Sequence, residues 1–268
     1  MTTQFLTREG GRIAYDDTGG AGPLVVCLPG MGDRRQLFRR FTPYLVDAGY
    51  RVVTMDLRGH GESSTGWATH TPVAVGQDLL ALLRQVEPAG PAAVVAVSFS
   101  PAAAIWAAAE TPELISGLVL VSPWGHDPTP SRLTRLLAGL VGRSPRGWAW
   151  FYRSLHRTPP PDLPAYLQAL RRNLAEPGRS AALRAMMWAP KAEGNDRLPE
   201  VRCPVLVAMG SQDPDFPDPA AEAEQVARRA RQAEVVMLDG VGHYPPSERP
   251  DLLAASVLPF LARTTRDE

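Results

Sequence analysis

The chain has 268 residues, 44% of them apolar and 21% charged, enough to bury a sizeable core in one large domain or a domain with an insertion. Its 28 basic and 28 acidic residues cancel, which excludes a broad electrostatic pull toward nucleic acid or an anionic membrane. The two cysteines, Cys27 and Cys203, are too few for a disulfide scaffold and lack the neighbours of a metal site, so both read as buried thiols.

The first 17 residues contain no apolar stretch, so no signal peptide is expected and the protein is expected to be cytoplasmic. A strand is predicted over 12–15. Leu24-Val25-Val26-Cys27-Leu28 is apolar throughout, as in a strand buried on both faces of a parallel sheet. A helix over 35–48, a strand over 51–55 and a helix over 72–86 follow. Residues 88–109 carry no charge and could cross a bilayer by length. Gly90, Pro91, Ser98, Ser100 and Pro101 interrupt them, so a buried strand over 93–97 and a buried helix over 101–109 explain them better. A strand over 118–121 comes next.

The alternation stops between 122 and 202. That stretch has no convincing strand and is rich in Arg, Pro and Trp. Leu163, Tyr166, Leu167, Leu170 and Leu174 recur at helical spacing, and Ser180 is expected to cap a helix containing Met186, Met187 and Trp188. Strands over 205–209 and 234–238 and helices over 220–233 and 250–262 then resume the pattern. The chain reads as an α/β fold: a mostly parallel open sheet with helices on both faces, and a helical insertion over 122–202 that divides the core into 1–121 and 203–268.

In such a sheet, sites form at the carboxyl ends of strands. Val95-Ala96-Val97-Ser98-Phe99-Ser100-Pro101 offers two serines there. An acyl-transfer nucleophile needs the following backbone N–H to hold the developing oxyanion. Pro101 has none, so Ser100 is excluded as nucleophile. Ser98 is followed by Phe99, which has one. The loop Pro29-Gly30-Met31-Gly32 can present a second donor from Met31. Asp213 and Asp215 follow the strand over 205–209, and either could orient a histidine. His243 lies in the glycine-rich loop after the next strand and can act as base and then acid.

The order Ser98, aspartate, His243 resembles the α/β-hydrolase superfamily over nearly the whole chain outside the insertion. Asp56-Leu57-Arg58-Gly59-His60-Gly61-Glu62-Ser63 is similar to its D-x-R-G-x-G-x-S loop. Gly210 to Pro217 is similar to its G-x-x-D-x-x-x-P loop, which implies Asp213 rather than Asp215 as the triad acid. Gly242-His243-Tyr244 is similar to its histidine loop. Ala96 and Ser100 replace the two glycines usual around the nucleophile, and Pro29 replaces a loop histidine. The resemblance implies that 122–202 is a cap. A serine nucleophile argues against relatives that use aspartate.

The expected function is a serine hydrolase acting through an acyl-enzyme on a small, fairly apolar ester or related acyl bond. C–C hydrolysis, acyl transfer and cofactor-free perhydrolysis on the same triad are alternatives, and a non-catalytic ligand-binding protein is a third. Trp124, Met186, Met187 and Trp188 are expected to bind substrate, with Trp148, Trp150 and Phe151 adding to an apolar roof. His60 is expected to shape its loop, and His70, His126 and His156 to lie at the surface or in the cap. No metal or cofactor is expected, nor a nucleic-acid or membrane partner; the partner is a small molecule. Oligomeric state is not readable from the sequence.

Overall fold

Apolar runs flanked by turn residues become the strands of one sheet in the computed structural model, which describes residues 2–86, 88–127 and 131–265. The strands are β1 (Gln4–Arg8), β2 (Gly11–Asp17), β3 (Leu24–Leu28), β4 (Arg51–Met55), β5 (Ala92–Val97), β6 (Ile115–Val121), β7 (Val205–Gly210) and β8 (Ala233–Leu238). Among the described residues the sheet has eight strands in the order β1-β2-β4-β3-β5-β6-β7-β8. Every pairing from β4 across to β8 is parallel, whereas β1 and β2 run antiparallel. The open, mostly parallel sheet expected from the sequence is present.

β1 is an addition to that reading. Gln-Phe-Leu-Thr-Arg is mostly exposed and lacks the all-apolar pattern. It pairs with β2 through a tight turn at Glu9-Gly10, where Gly10 takes φ 91°.

The central strands β3, β5 and β7 are buried at every residue. Their alternate side chains feed two cores. Val26, Val94 and Val207 face one side, with α2 (Pro72–Val86) and α3 (Ser100–Glu110). Cys27, Val95 and Leu206 face the other, with α1 (Thr42–Asp47) and α11 (Pro250–Thr264), the last described helix. Period-two alternation explains the split. The helix expected over 35–48 is interrupted: a 3-10 turn spans Arg35–Arg40, and Pro43 opens α1 as a separate helix.

Between β6 and β7 the described residues form α4 (Arg132–Arg143), α5 (Pro145–Ser154), α6 (Leu163–Leu174), α7 (Arg179–Trp188), α8 (Ala192–Asn195) and a 3-10 turn. Ser180 does not cap α7. Gly178 precedes that helix at φ 84°, and Ser180 Oγ donates to the Leu174 carbonyl at 2.9 Å.

This helical segment shares a core with the sheet. Trp148, Tyr152, Leu163 and Leu170 join the cluster of α1 and α11. The Trp148 Nε1–H donates to the Gly32 carbonyl at 2.9 Å, and Gly32, at φ 67°, has no room for a side chain beside that indole. Tyr152 Oη donates to Asp33 Oδ2 at 2.8 Å, and Tyr166 donates to the other oxygen. Burial pushes the Asp33 carboxyl up to about 6, against the pull of these donors.

The described residues also form α9 (Pro219–Ala227) and α10 (Pro245–Glu248). No described helix is long and apolar enough to cross a membrane. Cys27 is buried, Cys203 is partly so, and neither forms a disulfide.

Candidate active site

β5 turns into α3 through Ser98, which adopts φ 60°. A non-glycine residue in that region costs on the order of 1–3 kcal/mol, so the surrounding structure must enforce it. The Ser98 N–H donates to the Val121 carbonyl at 2.9 Å, pinning the turn to the neighbouring strand. A side chain at position 30 would stand 3.1 Å from Ser98 Cβ, which explains a glycine there.

The residue two positions on has a role that sequence reading missed. Ser100 Oγ donates to the Pro29 carbonyl at 2.5 Å. Its hydroxyl ties the elbow to the loop that carries Met31, beyond filling a glycine's place. The partner lies 71 positions away, so no local signal could show it. The N–H groups of Met31 and Phe99 have no acceptor among the described residues. They follow β3 and β5, which pair side by side up to Leu28 and Ala96.

The second half of the site lies after β7 and β8. The Gly210 backbone closely approaches the Gly242 carbonyl, so the two loops touch. His243 Nδ1 and Asp213 Oδ2 are 2.8 Å apart, and both side chains are buried. Glu248 holds the histidine loop: its carboxylate accepts from the N–H groups of Gly242, Tyr244, Arg157 and Thr158. The His243 N–H donates to the Leu155 carbonyl at 3.0 Å. Burial alone would depress the imidazole. The charges of Asp213 and Asp215 outweigh burial and hold the ring up to about 9.

Asp215 also enters the site. Its Oδ2 is 3.6 Å from His243 Nε2. Burial raises its carboxyl above the ordinary value; His243 opposes the rise and Asp213 adds to it. Asp213, Asp215 and His243 each bring a potential ligand atom within 4.8 Å of the others. Both ring nitrogens already face a carboxylate, which suits proton transfer, and we assign no metal to the group.

These residues open on a cavity of about 390 Å³, within the usual size range of small-molecule pockets. Ser98, Phe99, Met31 and His243 line it, as do Trp124, Met187 and Trp188. Met186 does not. Neighbouring positions on a helix point about 100° apart, and Met186 is wholly buried in the α2–α3 core while Met187 faces the cavity. Trp148 and Phe151 line the cavity, but Trp150 points to solvent at 70% exposure.

The structure adds Leu137 and Val141 of α4, and Lys191. Lys191 is buried, with Nζ 3.9 Å from Asp127 and 5.9 Å from the centre of the Phe99 ring. Burial lowers its ammonium against the pull of Asp127. It is the only lysine in the chain, and no local motif marks it for the cavity.

His60 is buried, with Nδ1 3.0 Å from the Arg58 carbonyl, and stays outside the cavity wall. His156 lies in the helical segment, one of the two placements expected for it, buried against Tyr152 and Tyr244.

A family model described as the alpha/beta hydrolase family matches residues 25–256, and the chain belongs to that family. It is 31% identical over 271 residues to BpoC of Mycobacterium tuberculosis, named as a candidate non-heme bromoperoxidase, with 93% of this chain and 97% of that protein covered. It is 28% identical over 278 residues to the polyketide synthase ThaQ of Burkholderia thailandensis. That match takes in 99% of this chain but spans only 13% of the synthase. A thermophilic esterase of Thermogutta terrifontis has a similar solved structure, with a TM-score of 0.81, 26% identity, and 99% of this chain and 100% of that one covered.

Proposed function

We propose that this chain is a serine hydrolase that cleaves a small, fairly apolar ester or related acyl bond through an acyl-enzyme. The observation that carries the reading is the convergence on one cavity of a strained serine at a strand end and a buried histidine–aspartate pair. Ser98 Oγ attacks the acyl carbon while His243 takes its proton on Nε2. Asp213 fixes the ring through Nδ1 and stabilises the imidazolium. The N–H groups of Met31 and Phe99 receive the carbonyl oxygen as it becomes negative. His243 then protonates the leaving group, and water releases the acyl chain by the same steps. Residues 122–202 act as the cap over a core of 1–121 and 203–268, and the cavity's apolar walls favour an apolar acyl chain.

The likeness to a protein named for bromoperoxidase supports a second reading, perhydrolysis, in which hydrogen peroxide replaces water at the acyl-enzyme. The test is labelling with a fluorophosphonate, followed by peptide mass spectrometry. A label on Ser98 that is lost in Ser98→Ala supports the mechanism; a label elsewhere, or none, overturns it. Rates on esters and thioesters of graded chain length then define the acyl group, and peracid formation with added peroxide separates the two readings.

A further inference from the structure

Asp215 stands where the proposed reaction needs a free nitrogen. Nδ1 of His243 is committed to Asp213 at 2.8 Å, and the group within ion-pair range of Nε2 is Asp215, at 3.6 Å. Among the described residues no hydrogen bond joins Ser98 Oγ to His243, and no donor is hydrogen-bonded to the Asp215 carboxylate. That carboxylate is 20% exposed and lies in the cavity wall.

The other titratable groups around His243 are placed differently. Glu248 of α10 already accepts four backbone N–H groups. His156, in the strap after α5, has Nδ1 3.0 Å from the Tyr152 carbonyl. Tyr244 presents its ring in an edge-on arrangement, with centroids 5.0 Å apart. Asp213 already accepts from the Asp215 N–H and faces Nδ1. Among the described residues His156 Nε2 has no partner of its own, and among the carboxylates of this set Asp215 alone lies within ion-pair range of His243 Nε2.

We propose that Asp215 is a positioning residue for proton transfer, which in the resting site competes with Ser98 for the Nε2–H of His243 and gives up that hold when an acyl chain fills the cavity. The proton count closes. A charged imidazolium and a carboxylate become a neutral imidazole and a carboxylic acid when one proton moves from Nε2 to Oδ2. Covering Asp215 with apolar substrate removes water from the charged pair and favours the neutral one. The vacated Nε2 then accepts the Ser98 proton as the Oγ–C bond forms, and passes it to the leaving group as the old bond breaks. After deacylation, Asp215 returns its proton to Nε2.

Turnover under this scheme rests on the serine-hydrolase reading, but the competition for Nε2 does not. The first test is therefore made without turnover. His243 is titrated by nitrogen NMR in Ser98→Ala protein, with and without Asp215→Asn. A neighbouring carboxylate at this distance shifts a titration by about 1–3 pH units, so the midpoint should fall by at least about one unit when the carboxylate is removed. An unchanged midpoint overturns the proposal. In the second test, the acid limb of kcat/KM on a p-nitrophenyl ester should move down with Asp215→Asn by the same amount. With each curve normalised to its own alkaline plateau, this is about a tenfold gain over the parent at pH 7. A curve lowered equally at every pH, or identical to the parent's, overturns the proposal. Asp215→Ser, a smaller side chain, is carried through both tests in case the amide does not fold. A shifted NMR midpoint in protein that hydrolyses no ester would leave the competition standing and remove the hydrolase reading instead.

Discussion

The sheet and the helical segment both line the cavity, but they hold their side chains by different means. In β3, β5 and β7 every residue is buried, and the loops after β5 and β7 are pinned to neighbouring strands by backbone contacts such as Ser98 to Val121 and Ser211 to Leu238. In α4 the apolar residues are only partly covered: Leu137 and Val141 line the cavity, yet Leu137 is 54% exposed, and Leu133 and Leu136 are 65% and 60% exposed. The segment is tied to the core mainly through side chains, among them Trp148 on Gly32, the two tyrosines on Asp33, Asn173 on Gly61 and Glu248 on the Arg157 and Thr158 N–H groups. A rigid edge suits groups that must meet within a few tenths of an ångström. A wall of apolar helix side chains suits a surface that decides which chain fits. The comparison implies that changes at the sheet edge alter kcat for every substrate, whereas changes in the helical wall alter selectivity.

The largest effect expected is at the elbow. Ser98→Ala should lower kcat/KM by at least about 10³ for every acyl length, because the covalent route is lost. Uniform loss across an ester panel confirms that the sheet edge is indifferent to chain length. Loss confined to one length would break the contrast.

Ser100→Ala removes the hydrogen bond to the Pro29 carbonyl and frees the loop carrying Met31. One such bond is worth about 1 kcal/mol, so kcat should fall about five- to tenfold while KM changes little. Steady-state kinetics on a short and a long ester check this, and equal falls in kcat are expected.

On the other side of the comparison, Trp188→Ala and Leu137→Ala enlarge the helical wall. Their kcat/KM optimum should move toward longer acyl chains by a few-fold, mostly through KM, since a lost methylene contact changes discrimination by about 1–3 kcal/mol at most. An unchanged chain-length profile in both variants would show that the wall does not select.

The smallest effect concerns the anchor. Asp33 is held at about 6 in the folded chain against 3.8 as its reference, so the folded state binds its proton more tightly. Stability from this group is therefore present at low pH and lost as pH rises from about 4 to about 6. Asp33→Asn should abolish that slope, so its thermal midpoint should gain on the parent's between pH 4 and pH 6. Parallel curves would remove Asp33 as a pH-sensitive anchor.

Strands β2 to β8, their mostly parallel character and the loops holding Ser98, Asp213 and His243 were legible because each leaves a mark on residues close in the chain. An all-apolar run marks a buried strand, a proline after Ser100 removes a donor, and glycines flank a tight loop. β1 was not legible, because a mostly exposed edge strand carries no apolar pattern. Met186 and Met187 were not separable, since helical spacing gives a periodicity without saying which face meets the cavity. Ser180 looked like a cap, but Gly178 supplied the turn and the hydroxyl found the Leu174 carbonyl.

By itself the sequence determined which chemical groups are available and in what order the chain presents them, because burial patterns and backbone donors are local properties. Only the tertiary structure decided that Ser100 holds the Pro29 loop, that Asp33 anchors the helical segment and that Asp215 faces Nε2 of His243. Each is a contact between distant segments or a matter of side-chain direction, settled by the packing of the whole chain around the cavity.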